Sequence, residues 1–340
     1  MPDTVIELAH GGGGRLSRDL VRAEILPRFG DGPLQSLPDG ATLPSPGEKL
    51  VFTTDSYVVQ PIEFPGGNIG HLAVHGTVND LAVCGAAPLW LSLGLILEEG
   101  LSFALLRRVL DAVRDAAAAC GVCVVTGDTK VVGRGQCDGL FLNTSGIGRL
   151  LPGFDLSQAH VRPGDRVLVS GPVGDHGMAV MASRHGMDVS RGPVSDTAPV
   201  HRLVQSMLPY AASIRFMRDP TRGGLAAVLN EIVEDLPVEI LVEEAAVPLS
   251  PGVRSLSELL GLDPFHVASE GRMLAICAPA AAPAVLEAWK TLPEGKDAAM
   301  IGSVKAVPSG RGAGRVVLHT VTGGSRLIDV PRGELLPRIC

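Results

Sequence analysis

Hydrophobic periodicity divides the chain into alternating helical and extended stretches. After Ser102, the residues Leu106, Val109, Leu110, Val113, Ala117 and Cys120 recur at helical spacing until Gly121, which predicts a capped amphipathic helix. Residues 67–83 predict a second helix, with Ile69, Leu72, Ala73 and Gly76 on a close-packed face, and residues 16–29 a third. Period-two alternation over residues 49–59 predicts a strand ending near Asp55. Apolar runs at 89–97, 122–125 and 140–147 predict three more. Pro152 and Gly153 mark a linker, and Arg162-Pro-Gly-Asp165 a turn. Beyond it, strands are expected at 167–170, 238–242, 273–277 and 315–321, and helices at 178–184, 197–208, 225–233 and 283–292. The elements intermingle without regular βαβ spacing, so the expected class is α+β. From residue 328 the sequence has two prolines, a glycine and no period. The expected organisation is therefore a domain over 1–151, a second over 152–327 and a flexible tail over 328–340. Extended at about 3.3 Å per residue, that tail would span roughly 40 Å.

At 340 residues the chain has room for two such domains, taking about 150 residues for each. A net charge of −7 argues against nucleic acid, which calls for a basic face. The uncharged stretch between Asp80 and Glu98 is short for a bilayer span. It contains Gly85, Pro88, Ser92 and Gly94, so a buried turn and strand are expected there rather than a membrane helix. The opening residues carry no secretory pattern, and the six cysteines (Cys84, Cys120, Cys123, Cys137, Cys277 and Cys340) are too sparse for a disulfide framework. A reduced, cytoplasmic protein is expected.

Three segments set carboxylates beside small residues: Thr53-Thr-Asp55, Gly76-Thr-Val-Asn79-Asp80 and Thr126-Gly-Asp128-Thr-Lys130. Any one of them could be a turn or capping Asp. Three in similar settings suggest hard ligands for Mg²⁺, which leaves coordination positions for phosphate oxygens. Lys130 lies two residues past Asp128, so on an extended segment both side chains face the same way. That pairing suits a nucleoside triphosphate, although P-loop and protein-kinase motifs are absent. The run containing Gly11, Gly12 and Gly13 could offer backbone N–H groups to an anion or be plain loop. Arg218-Asp-Pro-Thr-Arg222-Gly-Gly could bind an anion or be a loop held by Arg–Asp pairing, and Glu270 could be a surface acid or a positioned base. Cys120-x-x-Cys123 lacks a second pair for zinc. Cys340 is a free thiol on an expected mobile tail, too close to the end for prenylation.

These segments resemble the HypE family of hydrogenase maturation factors, within the superfamily of aminoimidazole ribonucleotide synthetase, selenophosphate synthetase and thiamine monophosphate kinase. The likeness runs from Leu8-Ala-His-Gly-Gly-Gly-Gly14 through Thr54-Asp-Ser-Tyr-Val-Val59, Phe64-Pro-Gly-Gly-Asn-Ile-Gly70 and Gly76-Thr-Val-Asn-Asp-Leu-Ala82. It continues through Gly127-Asp-Thr-Lys-Val-Val132 and Arg218-Asp-Pro-Thr-Arg-Gly-Gly-Leu225 to Pro337-Arg-Ile-Cys340. The histidine–glycine opening and the Pro-Arg-Ile-Cys close discriminate within the superfamily.

The resemblance implies a two-domain aminoimidazole ribonucleotide synthetase-like fold that forms a homodimer through its N-terminal sheets and binds ATP with Mg²⁺. It implies that HypF loads a carbamoyl group on Cys340, that ATP-dependent dehydration yields a thiocyanate, and that cyanide passes to iron on a HypC–HypD complex. By motif position, Asp55, Asp80 and Asp128 become metal and phosphate ligands. Asn79, Gly11, Gly12, Gly13 and Arg222 become ATP contacts, Lys130 a charge stabiliser and Cys340 the carrier; the implied dehydration also calls for a base to remove N–H protons, for which Glu270 is the candidate. The alternatives are a selenophosphate synthetase-like enzyme, which needs a reactive Cys or selenocysteine near the N-terminus where this chain's first is Cys84, and a non-enzymatic thiol scaffold with an ATP-driven switch.

Overall fold

The computed structural model describes residues 5–7, 10, 19–29, 49–187, 192–234, 236–307, 313–330 and 339–340. They group into two compact units, Met1–Leu81 with Ala86–Leu150 and Cys340 in the first, and Ala82–Gly85 with Leu151–Ile339 in the second.

The first unit is a four-stranded sheet with helices on one face. Its elements are β1 (Leu50–Tyr57), a small ribbon of β2 (Glu63–Phe64) and β3 (Gly67–Asn68), and α1 (Ile69–Val83). They continue with β4 (Ala86–Glu98), α2 (Phe103–Cys120), β5 (Cys123–Val132) and β6 (Leu140–Leu150). The strand order is β1-β6-β4-β5, antiparallel except for β4 and β5, whose parallel pairing follows from the crossover through α2. Ser102 caps α2, its Oγ accepting from the Leu105 N–H at 3.2 Å, and Gly121 ends the helix in the left-handed region at φ 68°. Asn68 starts α1 two residues later than the apolar pattern suggests, because Gly67 and Asn68 pair with β2; Asn68 Oδ1 accepts from the Gly70 N–H at 2.9 Å. All of α1 is buried except His71 and Asp80, so it has no polar face to give it a helical period. Its glycines are spacing devices. A Cβ on Gly76 would lie 2.3 Å from Tyr57 Oη, and one on Gly70 would lie 2.5 Å from the Val109 carbonyl of α2.

The sheet's other face carries exposed apolar side chains, with Leu50 53 %, Phe52 67 % and Ile96 40 % exposed. Between them stands a polar row in which Asn143 Nδ2 donates to Ser56 Oγ at 3.0 Å and Ser145 Oγ donates to Thr54 Oγ1 at 2.9 Å.

The second unit is a seven-stranded sheet made of β7 (Arg166–Val169), β8 (Ile214–Arg218), β9 (Val238–Glu243), β10 (Leu274–Cys277), β11 (Ala299–Ala306), β12 (Arg315–His319) and β13 (Ser325–Ile328). Their order is β13-β12-β9-β11-β7-β10-β8. Helices α3 (Asp175–Arg184), α4 (His201–Ser206), α5 (Gly224–Glu234), α6 (Pro251–Leu260) and α7 (Ala282–Lys290) complete it. Both faces of the sheet are covered. Val167, Val169, Leu274 and Ile276 belong to one core cluster, and Leu168, Ala275 and Cys277 to another with Leu203 and Trp289. This two-sided burial is why these strands read as continuous apolar runs without alternation.

The expected tail boundary needs correction. Ile328 is the last residue of β13, paired with Val316 and 2 % exposed, so residue 328 belongs to the sheet. Residues 331–338 lie outside the described residues, and Ile339 beyond them is buried. Among the described residues no helix is long and apolar enough to cross a membrane.

Candidate active site

The Thr126-Gly-Asp128-Thr-Lys130 segment lies wholly within β5, the edge strand of the first unit's sheet. Its side-chain directions are set by a bulge. Val124 pairs with Leu91 but Thr126 pairs with Ser92, leaving Val125 as the extra residue. Without it, Asp128 and Lys130 would share the helix-covered side with Val124. With it they turn to the open face, beside Gly94 and Ile96. Gly127 allows the close approach that follows, since a Cβ there would sit 2.3 Å from the Leu93 carbonyl. Lys130 Nζ stands 3.7 Å from Asp128 Oδ2, both side chains well exposed, so the expected juxtaposition is present. Asp128 Oδ1 also accepts from the Thr129 N–H at 2.9 Å. The pair presents hydrated, opposite charges that a polyphosphate and its cation can engage.

Asp55 and Asp80 lie elsewhere in the same unit. Asp55 is on β1, the opposite edge strand, and pairs with Thr144 on the helix-covered side. Thr53, two residues earlier on that side, donates its hydroxyl to Asp80 Oδ2 on α1 at 3.0 Å. Asn79, beside Asp80, is buried. Three strand spacings of about 4.8 Å put Asp128 roughly 14 Å from the β1 edge, and on the other face. The three carboxylates therefore do not converge within one chain. Among the described residues no group of three or more His, Cys, Asp or Glu side chains is placed to hold a metal ion. The donor chemistry fits Mg²⁺ held one or two carboxylates at a time with phosphate oxygens, and does not fit an all-protein cage. Gly11, Gly12 and Gly13 lie outside the described residues.

In the second unit, Glu270 is 2 % exposed, so the surface-acid reading is set aside. Its segment is pinned by its neighbours. The Ser269 N–H donates to the Pro220 carbonyl at 2.9 Å, and Ser269 Oγ accepts from the Gly174 N–H at 2.8 Å. The Glu270 N–H donates to Asp196 Oδ1 at 3.0 Å, and Arg272 Nε lies 3.4 Å from Asp196 Oδ2. A Cβ on Gly271 would fall 1.8 Å from the Asp196 carbonyl, so only glycine fits against that backbone. Burial raises the pKa of Asp196, with Arg272 opposing it. Of the two arginines expected to bind an anion, Arg218 is engaged with Glu231 and lies over the Phe216 ring, whereas Arg222 is exposed on the turn before α5.

Cys340 is half-buried, and its main-chain oxygen accepts from the Val58 N–H at 3.3 Å in the first unit. The other thiols divide by environment. Cys120 and Cys277 are buried, which pushes each up to about 12 and leaves them unreactive, while Cys84 and Cys123 are exposed. Cys120 and Cys123 thus sit in different surroundings despite their spacing. Sequence reasoning passed over Asp175, His176, Ser195 and Asp196, all buried polar residues near the Glu270 segment. The one available signal was the placing of Asp-His and Ser-Asp pairs beside glycine and proline.

Residues 38–150 match the family of AIR synthase related protein N-terminal domains, and residues 162–314 match that of the C-terminal domains. The carbamoyl dehydratase HypE of Rhodobacter capsulatus is 48 % identical over 340 residues, covering 99 % of either chain. The chain belongs to the HypE family of carbamoyl dehydratases. A crystal structure of the hydrogenase maturation protein HypE in complex with ATP superposes with a TM-score of 0.93 at 45 % identity, covering 98 % of this chain and 99 % of that one. A HypE–HypF complex contains a chain with a TM-score of 0.79 at 39 % identity, covering 92 % of this chain and 99 % of that one. The resemblance expected from the motifs is therefore met at the level of family and fold, in both units.

Proposed function

We propose that this chain uses ATP to dehydrate an S-carbamoyl group on Cys340 to a thiocyanate, the source of a cyanide ligand for the iron of a nickel–iron hydrogenase. The observation that carries this reading is the end-to-end likeness to carbamoyl dehydratases in a chain that has a thiol at Cys340. A HypF-type carbamoyltransferase supplies the group, in keeping with the HypE–HypF complex among the structural neighbours. A HypC–HypD complex receives the cyanide.

An amide oxygen is a poor leaving group, so it must first be made into a phosphate ester. The carbamoyl oxygen attacks the γ-phosphorus and ADP departs, a step that rests on positioning and charge neutralisation. A base then removes an N–H proton as the C–O bond breaks. Phosphate leaves carrying the former carbamoyl oxygen, the second N–H proton is released, and a C≡N group remains on sulfur. Glu270 serves as the base, held rigidly by the backbone contacts of Ser269, Glu270 and Gly271. Lys130 and Arg222 stabilise phosphoryl charge. Asp55, Asp80 and Asp128 would hold Mg²⁺ on the phosphates, where the ion would neutralise charge, and Asn79 with the glycines 11–13 would contact the nucleotide.

Because Asp55 and Asp128 occupy opposite edges of one sheet, a complete site calls for two chains. Pairing the open sheet faces about a two-fold parallel to the strands would bring one copy's β1 edge to the other's β5 edge. The exposed Phe52, Leu50 and Ile96 supply the apolar contact. Sedimentation should show a two-chain mass. Phe52→Glu should yield single chains whose ATP affinity is at least about tenfold weaker, since a buried charge disfavours the pairing. A single-chain parent protein of full activity would contradict the pairing.

The function is tested by mass spectrometry of the C-terminal peptide. Carbamoylated protein given Mg·ATP should lose one water from the group on Cys340. Persistence of the carbamoyl mass while ATP is consumed would instead support the thiol-scaffold reading.

A further inference from the structure

His176, in the first turn of α3, is fully buried and has both ring nitrogens engaged. Nε2 lies 2.6 Å from the carbonyl oxygen of Ile339, and Nδ1 lies 2.8 Å from Ser195 Oγ. A carbonyl can only accept, so Nε2 carries the proton. In the neutral ring Nδ1 then accepts from the Ser195 hydroxyl, whose oxygen also accepts from the Thr197 N–H at 3.2 Å. Burial lowers the pKa of His176 to about 4, so the ring stays neutral in this tautomer at ordinary pH. The carbonyl it holds belongs to the peptide bond that joins Ile339 to Cys340, and the Ile339 side chain is 4 % exposed. On the other side of the same short segment, Asp196 accepts from the Glu270 N–H and pairs with Arg272.

We propose that His176, oriented by Ser195, is a positioning residue that clamps the Ile339–Cys340 peptide bond, and that Ser195-Asp196 ties this clamp to the backbone of Glu270. The assignment of its purpose rests on the dehydratase reading above. The clamp itself fixes where Ile339 and Cys340 rest. It gives the carrier a defined docked state from a bond that is easily made and broken. A single hydrogen bond contributes about 0.5–1.5 kcal/mol net, a factor of roughly 2–10 in the docked population. That is enough to register the tail and weak enough to release it. Chain loading at Cys340 requires release, and dehydration requires docking, so the two half-reactions should respond in opposite directions to loss of the clamp.

Carboxypeptidase release of Cys340 reads the clamp directly, because the protease must polarise the carbonyl that His176 holds. When opening and closing are fast, release follows the undocked population. His176→Leu should raise the release rate about 2- to 10-fold. His176→Gln, which keeps a donor, should bring it back toward the parent rate. In His176→Leu, carbamoylation of Cys340 should be faster, the dehydration rate should fall by a similar factor, and the KM for ATP should stay as in the parent. A melting transition checks that each variant is folded. If His176→Leu does not fold, Ser195→Ala, which frees the tautomer, should still raise release. Release rates equal to the parent's in a folded His176→Leu or in Ser195→Ala would overturn the clamp. A parent protein that never dehydrates its carbamoyl group would instead overturn the dehydratase reading, leaving the release data to stand by themselves.

Discussion

Cys340→Ser is expected to abolish thiocyanate formation while leaving folding and nucleotide binding unchanged. Oxygen replaces sulfur on a half-buried side chain, and the main-chain oxygen of residue 340 still accepts from the Val58 N–H. Nothing in the core changes. The chemistry changes completely, because a serine hydroxyl at neutral pH lacks the thiolate reactivity that accepts and later releases the group. Carbamoyl transfer assayed with a HypF-type enzyme should leave the variant unmodified at residue 340, and ATP titration should give the parent affinity. Modification at exposed Cys84 or Cys123, with thiocyanate formed there, would show that another thiol is the carrier.

Glu270→Gln carries the second-largest expected effect. Gln matches Glu in shape, and the contacts that hold the segment are made by backbone: the Glu270 N–H to Asp196 and the glycine-tight packing of Gly271. The variant should therefore fold with its backbone in place. Loss of a positioned base typically slows a reaction by about 10²–10⁴. Single-turnover experiments should show ATP bound with parent affinity and the carbamoyl group persisting on Cys340. A rate within about twofold of the parent would remove Glu270 from the role of base.

Some of this site was legible in the sequence. The two-residue spacing of Asp128 and Lys130 places them on one side of an extended strand, and they do lie together. Which side that is could not be read, because a single extra residue at Val125 reverses it and bulges leave no reliable period. The wide separation of Asp55 from Asp128 is a matter of strand order, and strand order is not written in local pattern.

Helix α2 was legible because its cap, stripe and stop agree. Helix α6 carried equally clear signals, Ser250 as N-cap, Pro251 at the first position and Gly261 at the left-handed end, yet the linear reading passed over it. The helix expected over 197–208 shortens to His201–Ser206 because the residues before it are not helical and lay Asp196 and Ala198 against Gly271. Strands β11 and β13 were missed for opposite reasons. β11 is interrupted by Gly302, whose missing Cβ lets the Leu241 carbonyl approach, and β13 is short, polar and at the sheet edge. Glu270 is recognisable as a candidate from its place before an apolar strand and from the need for a base, but its setting depends on a contact from Asp196, 74 positions away in the chain.

In the proposed dehydration the carbamoyl oxygen on Cys340 becomes a phosphate oxygen. The most direct measurement loads Cys340 with a carbamoyl group labelled with heavy oxygen, adds Mg·ATP in ordinary water, and follows the label. One labelled oxygen is expected in each inorganic phosphate released, with an unlabelled thiocyanate left on Cys340. Unlabelled phosphate, with the label retained on the C-terminal peptide or lost to water, would contradict it.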